Sequence, residues 1–119
     1  MARITIGGTA VIPQGATASG PIEAQERPLA WLSLPPDWPV DTPVTLQGAL
    51  TAEAPDAGSA DWRDVTNMIG QPIAFLGQAG QIMALQEGVS LGLPFLRLRI
   101  GTAAAAARSI PYGVRWLAQ

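Results

Sequence analysis

The sequence contains no cysteine and no histidine. The lack of cysteine rules out disulfides, thiolate metal ligands and cysteine nucleophiles. The lack of histidine removes the most common general base and the usual partner of a serine nucleophile. The pattern G-x-S-x-G occurs once, at 88–92, but the chain has no histidine to activate Ser90, and no Walker motif or G-x-G-x-x-G fingerprint is present. We therefore predict a protein that is not an enzyme and that needs no cofactor.

Charge of either sign is also scarce. Seven arginines, no lysine and nine acidic residues give a net charge of −2, which provides no basic field for a phosphate backbone. The longest stretch without charge, 65–86, is broken by glycines, a proline and amides and would make a poor membrane span. The start, MARITIGG, lacks the apolar core of about 7 to 15 residues that a secretory signal needs. We expect neither nucleic acid nor a membrane as a partner, and no export through a signal peptide.

Windows long enough for a helix are rare, because thirteen glycines and eleven prolines are spread over 119 residues. Between them lie runs in which apolar and polar residues alternate, the pattern of half-buried strands. The clearest runs are 44–52, 93–100 and 110–118, and a first strand over 4–12 is predicted to bulge or bend at Gly7-Gly8. Weaker candidates are 18–24, 29–34, 61–66, 72–76 and 81–85. The alanine-rich run 102–107 is predicted to be a loop because it is too short for a stable helix.

These patterns predict one all-β domain over residues 1–119, an antiparallel β-sandwich or jelly roll of about eight or nine strands. Alternation in 93–100 places Arg97 and Arg99 on the side opposite the core, and alternation in 110–118 does the same for Arg115. We predict these three arginines as interface residues and expect the last two strands, 95–118, to form a hairpin.

The loops offer further candidates. Trp38 lies in the proline-rich stretch LPPDWPVDTP and is predicted to be an exposed anchor, with Asp61 and Trp62 at the rim of the same interface. The same tryptophans could instead stack on sugars, as in a carbohydrate-binding module. Asp56, Asp61 and Asp64 lie close in sequence, but their spacing does not match a calcium loop, so no metal site is predicted. A glycosidase that pairs Asp61 or Asp64 with Glu53 is a further alternative.

The segment LPFLRLRIGTAAAAARSIPYGVRWL resembles the closing half of small structural proteins of tailed phages and prophages. In that family a strand of the type yLRLrsGt leads into an alanine-rich loop and a last hydrophobic strand, here 95–102, 103–108 and 110–117. Upstream, 4–6, 29–34 and 44–67 are similar to the family's earlier strands. The chain departs from the family in its proline-rich segment 35–43 and in lacking a Gly-Thr turn before Trp62.

The resemblance implies a virion component without enzymatic activity, either a capsid decoration or a head-associated protein. Its partners would be the major capsid protein or another virion protein, together with further copies of itself in a homo-oligomer. It would be assembled into the virion in the host cytoplasm. A tail-associated adhesion component or a carbohydrate-binding module is the alternative.

Overall fold

The structure is a computed structural model that describes residues 5–23, 29–85 and 93–115, and these residues form nine β-strands and no α-helix. The strands are β1 (Thr5–Ile12), β2 (Ile22–Glu23), β3 (Leu29–Ser33), β4 (Val44–Ala49), β5 (Arg63–Asp64), β6 (Ala74–Phe75), β7 (Ile82–Ala84), β8 (Phe95–Arg99) and β9 (Arg108–Arg115). Every pair of neighbouring strands is antiparallel. The all-β prediction is confirmed.

The strands form two sheets. One has four strands in the order β1-β9-β3-β7, and the other has five, in the order β2-β8-β4-β5 with β6 also on β4. The pairing is nested along the chain: the first strand pairs with the ninth, the second with the eighth, and the third with the seventh. The fourth strand, the innermost in this pattern, pairs with the fifth and the sixth.

A single main hydrophobic core contains side chains from both sheets, so the structure is like a β-sandwich. The alternation that predicted the strands is the cause, because every second side chain of each long strand points to the other sheet. The largest fully buried side chains are Ile12, Ile22, Leu29, Leu32, Leu34, Val44, Leu46, Leu96, Leu98 and Ile110. At about 25 cal/mol per Å² of buried apolar surface, this core is the main source of folding free energy.

The bulge predicted at Gly7-Gly8 is wrong. β1 pairs with β9 without a register shift from Thr5 opposite Arg115 to Ile12 opposite Arg108. Gly8 instead makes room for a ring: a Cβ placed there would lie 2.6 Å from the Tyr112 hydroxyl oxygen. The glycine thus serves the close approach of an aromatic side chain.

The hairpin predicted over 95–118 is also wrong, since β8 and β9 lie in different sheets. The connection between them is the alanine-rich run, which is a loop as predicted. Its Ala104 is buried and exchanges backbone hydrogen bonds with the loop after β1, donating to Ala16 O and accepting from Gly15 N. This loop therefore crosses from one sheet to the other.

The weaker strand predictions hold in position but not in length. The run 29–34 appears as β3, whereas 18–24 is reduced to β2 and an isolated bridge between Ala18 and Arg99. The candidates 61–66, 72–76 and 81–85 contain strands of only two or three residues. β4 ends at Ala49, three residues before the end of the predicted run 44–52.

Candidate protein-interaction surface

Two of the residues predicted for an interface, Arg99 and Asp61, are exposed. Arg99 lies on β8 and Asp61 in the segment between β4 and β5. Arg115 ends β9, and its side chain lies outside the part of the structure that is described. The interface role of these three residues stays a prediction.

The exposure predicted for Arg97 is wrong, because the residue is only 8% exposed. β8 does turn its side chain away from the core, but the segment 50–62 folds over that outer face. The Arg97 Nη1 donates to the carbonyl oxygen of Ala57 at 2.8 Å, and its guanidinium carbon lies 4.7 Å from the centre of the Trp62 ring. Arg97 therefore attaches this segment to the sheet by a hydrogen bond and a cation–π contact.

A polar row crosses three strands beneath that segment. Asp64, Gln47 and Arg97 occupy neighbouring positions on β5, β4 and β8. The Arg97 Nε donates to Gln47 Oε1 at 2.7 Å, and Gln47 Nε2 donates to Asp64 Oδ1 at 3.0 Å. Among the described residues, no buried side-chain nitrogen or oxygen lacks a hydrogen-bond partner. The two buried members of the row, Arg97 and Gln47, are thus held in one geometry by their hydrogen bonds, and the row ends at the exposed Asp64.

The two arginines of β8 differ in what they present to a partner. Burial lowers the pKa of Arg97 from its ordinary value, and the nearby charge of Arg99 lowers it further. Since Arg97 is covered and Arg99 is exposed, the positive charge that this face of β8 offers to a partner comes from Arg99.

The exposure predicted for Trp38 is wrong as well, and Trp62, predicted as an interface residue, is also buried. Trp38 is 4% exposed, belongs to the main core, and donates its indole N–H to the Thr42 carbonyl oxygen at 3.1 Å. Trp62 is 6% exposed, packs with Ala49 and Phe95, and donates its indole N–H to the Asp56 carbonyl oxygen at 3.1 Å. Both rings are covered by protein, which leaves no ring face of either open for stacking on a sugar.

The proline-rich segment around Trp38 is attached to β9 by an ion pair. Arg108 Nη1 donates to the Asp37 carboxylate at 2.7 Å and to the Asp37 carbonyl oxygen at 3.1 Å. The Arg108 side chain is mostly buried while that of Asp37 is exposed. The two residues are far apart in sequence, so no local pattern could predict this contact.

Several large apolar side chains that sequence reasoning did not single out are exposed. They are Val11, Val40, Leu50, Met68, Ile69, Leu76 and Ile82. Isolated exposed apolar residues are normal on protein surfaces, but neighbouring ones often mark contact sites. Met68 and Ile69 are adjacent in the chain, and Met68 is fully exposed.

Met68 and Ile69 are carried by an ordered turn over 67–71, between β5 and β6. The Asn67 Oδ1 accepts hydrogen bonds from the backbone N–H groups of Ile69 and Gln71, each at 3.0 Å. The Asn67 N–H donates to the Gln71 carbonyl oxygen, and Gly70 takes a positive φ of 80°. Asparagine followed by glycine three residues later is a turn signal that the sequence does contain. The turn therefore holds two apolar side chains in solvent with its own backbone fixed.

The carboxylates considered as alternatives are only partly brought together. Asp61 and Asp64 line a half-open recess of about 360 Å³ together with Arg63. Glu53, the partner that a glycosidase would need, is not among the described residues that line it. Within the described ranges, no three acidic, histidine or cysteine side chains are grouped closely enough to hold a metal ion.

No protein-family model, no curated protein and no solved structure matches this chain. In the described ranges, no helix is long and apolar enough to cross a membrane.

Proposed function

We propose that the chain is a non-enzymatic structural protein of a phage virion, a capsid decoration or head-associated protein. In this proposal it is present in many copies, associates with itself and docks on the major capsid protein or another virion protein. The resemblance of 95–117 to tailed-phage structural proteins motivates the proposal, and the fold and the exposed turn support it.

We also propose that the two sheets form a jelly roll. Support comes from the nested pairing of first with ninth, second with eighth, third with seventh and fourth with fifth strand. Rolling up a long antiparallel ribbon of strand pairs gives this order, and jelly rolls are frequent in viral capsid proteins. Jelly rolls also occur in lectins and cupins, so the function must be argued from a site.

The observation that carries the proposal is the turn 67–71. A loop whose backbone is already ordered before binding loses less conformational entropy in a complex, so an ordered turn can dock on a partner at low cost. Methionine and large apolar side chains are favoured in the dry centre of interfaces. We therefore place Met68 and Ile69 at the centre of contact with the particle.

Polar residues complete the proposed surface. Asp61 is exposed in the segment between β4 and β5, and Arg99 is exposed on β8 of the same sheet. A rim of charged groups around an apolar centre mainly sets specificity and association rate. Asp61 was predicted from the sequence as a rim residue and Arg99 as an interface residue, and we propose that both lie at the rim.

A rebinding experiment tests this proposal. Particles are prepared from a phage or prophage lacking the gene, and purified protein is added to them. We expect the double variant Met68→Ser/Ile69→Ser to bind at least about ten-fold more weakly than wild type, because two large apolar side chains are lost from the contact.

The matched control is Leu76→Ser/Ile82→Ser, which removes two exposed apolar side chains at other positions. We expect this control to bind the particles like wild type. Equal binding by the Met68/Ile69 variant and wild type would contradict the proposed contact, and so would an equal loss in the control.

A further inference from the structure

β1 is an edge strand with one side open among the described residues. It pairs with β9 along all eight of its residues, and no described strand pairs with its other side. An edge strand carries a row of backbone N–H and C=O groups that can pair with another strand.

A hydrogen bond shows which residues of β1 turn these groups outward. The Val11 carbonyl oxygen accepts from the Gly20 N–H at 3.2 Å, so the backbone groups of Val11 point away from β9. In an antiparallel pair the direction alternates from residue to residue. Thr5, Gly7 and Thr9 therefore also direct their N–H and C=O groups to the open side.

Over residues 5–9, β1 lacks the devices that normally protect an edge, whereas at Val11 the Gly20 N–H already occupies the outward carbonyl. Residues 5–12 contain no charged residue and no proline, and their pairing has no bulge. The described strands at the other sheet edges, β2, β5, β6 and β7, are only two or three residues long. Among the described strands, the longest unprotected edge is therefore β1 over residues 5–9.

We propose that this edge binds β1 of a second copy of the chain, antiparallel, with the twofold axis at Gly7. This register places Thr5 opposite the second copy's Thr9, and Thr9 opposite its Thr5. Threonine opposite threonine is a favourable pairing across antiparallel strands, and within residues 5–9 of the two copies no like charges face each other. The two four-stranded sheets become one continuous sheet.

This inference deepens the proposed function and rests on its self-association. The test uses pure protein without particles, so its failure and a failure of particle docking are distinguishable.

The first test is the mass in solution by sedimentation or light scattering. Wild type is expected to be a dimer at about 100 μM. Thr9→Pro removes an outward N–H without removing a bond to β9, and proline is tolerated at such edge positions. We expect it to raise the dimer dissociation constant about ten-fold or more, because two symmetry-related hydrogen bonds are lost. Thr9→Val keeps the N–H and is expected to stay dimeric.

A second test measures the register between β1 and β1 of the second copy, and it does not depend on folding of the proline variant. Because the chain has no cysteine, single substitutions introduce unique thiols. A mixture of Thr5→Cys and Thr9→Cys chains is expected to form disulfide-linked dimers on oxidation. Thr9→Cys alone is not, since the two copies of position 9 would lie too far apart for a disulfide.

Three results would each overturn the inference: a wild-type monomer at that concentration, a folded Thr9→Pro variant that dimerises like wild type, or Thr9→Cys chains that cross-link alone as well as the mixture does.

Discussion

The ring of Tyr112 occupies space that is free only because residue 8 is a glycine. Its ring lies against Gly8, where an added Cβ would come within 2.8 Å of the ring carbon that bears the hydroxyl. The same packing withdraws the phenol partly from water, and this burial raises the pKa of Tyr112 above its ordinary value.

The titration of Tyr112 can be observed directly because it is the only tyrosine in the chain. We predict that ultraviolet absorbance of the folded protein gives an ionisation midpoint above about 10. The unfolded chain then loses this proton first. The free energy of unfolding should therefore be unaffected by Tyr112 below about pH 10 and should fall as the pH rises further.

Tyr112→Phe provides the control, since it lacks the ionisable group. Its stability should decline less between pH 9.5 and 11.5, roughly the range around the ordinary pKa. A midpoint at or below 10, or an equally steep alkaline decline in the phenylalanine variant, would contradict the burial of this hydroxyl.

Alternation in 44–52 places Val44 and Leu46 correctly in the core, but it places Leu50 on the same face, and Leu50 is exposed. Sequence reasoning also misjudged three large polar or aromatic side chains. Alternation correctly predicted that Arg97 points away from the core, yet it contains no information about a later segment that covers the outer face. Trp62 is part of that cover, and Trp38 is buried by contacts with distant parts of the chain. Burial of this kind is decided by tertiary packing, which a local pattern does not report.

At the scale of elements, the segment 50–62 is the least expected feature. It has no strand of its own and yet is fastened at Ala57 and through Trp62, both by Arg97. Backbone hydrogen bonds from Ser59 to Asp56 and from Trp62 to Ser59 give it local order. Its position depends on a side chain of β8.

We predict that Arg97→Ala lowers the free energy of unfolding by about 2 kcal/mol, because charge-assisted hydrogen bonds and packing of the side-chain stem are lost. Backbone amides of 50–62 should also exchange faster with solvent hydrogen. The matched variant is Arg99→Ala, which removes an exposed arginine two residues away and should change stability by no more than about 0.5 kcal/mol. Denaturant unfolding and hydrogen exchange measure both effects. Equal effects of the two substitutions would show that Arg97 does not fasten the segment.

The positions of the strands along the chain could be predicted from the sequence, but which strands pair with each other in the sheets could not. The position of every described strand followed from alternation between glycines and prolines, but the lengths of the short ones did not. The pairing partners of β8 and β9 could not be predicted. Strands that are neighbours in sequence usually pair with each other, whereas here each pairs with a distant strand. Ala104 explains part of this choice, since its loop is bonded to the loop after β1 and so leads the chain into the other sheet.

At the scale of the whole molecule, the two proposed contacts lie on different sheets. The open edge belongs to β1 of the four-stranded sheet, while the turn 67–71 follows β5 of the other sheet. One copy could thus bind a second copy and the particle at the same time. Two simultaneous contacts of modest strength give much tighter attachment than either alone, which suits a protein that decorates a repeated lattice.

The measurement that tests the central proposal most directly is the copy number of this chain in purified particles. Quantitative mass spectrometry would compare it with the major capsid protein across independent preparations. We predict a constant ratio, with many copies in every particle and no loss on repeated washing. A chain that remains in the free protein fraction, or whose ratio to the capsid protein varies between preparations, would contradict a structural role in the virion.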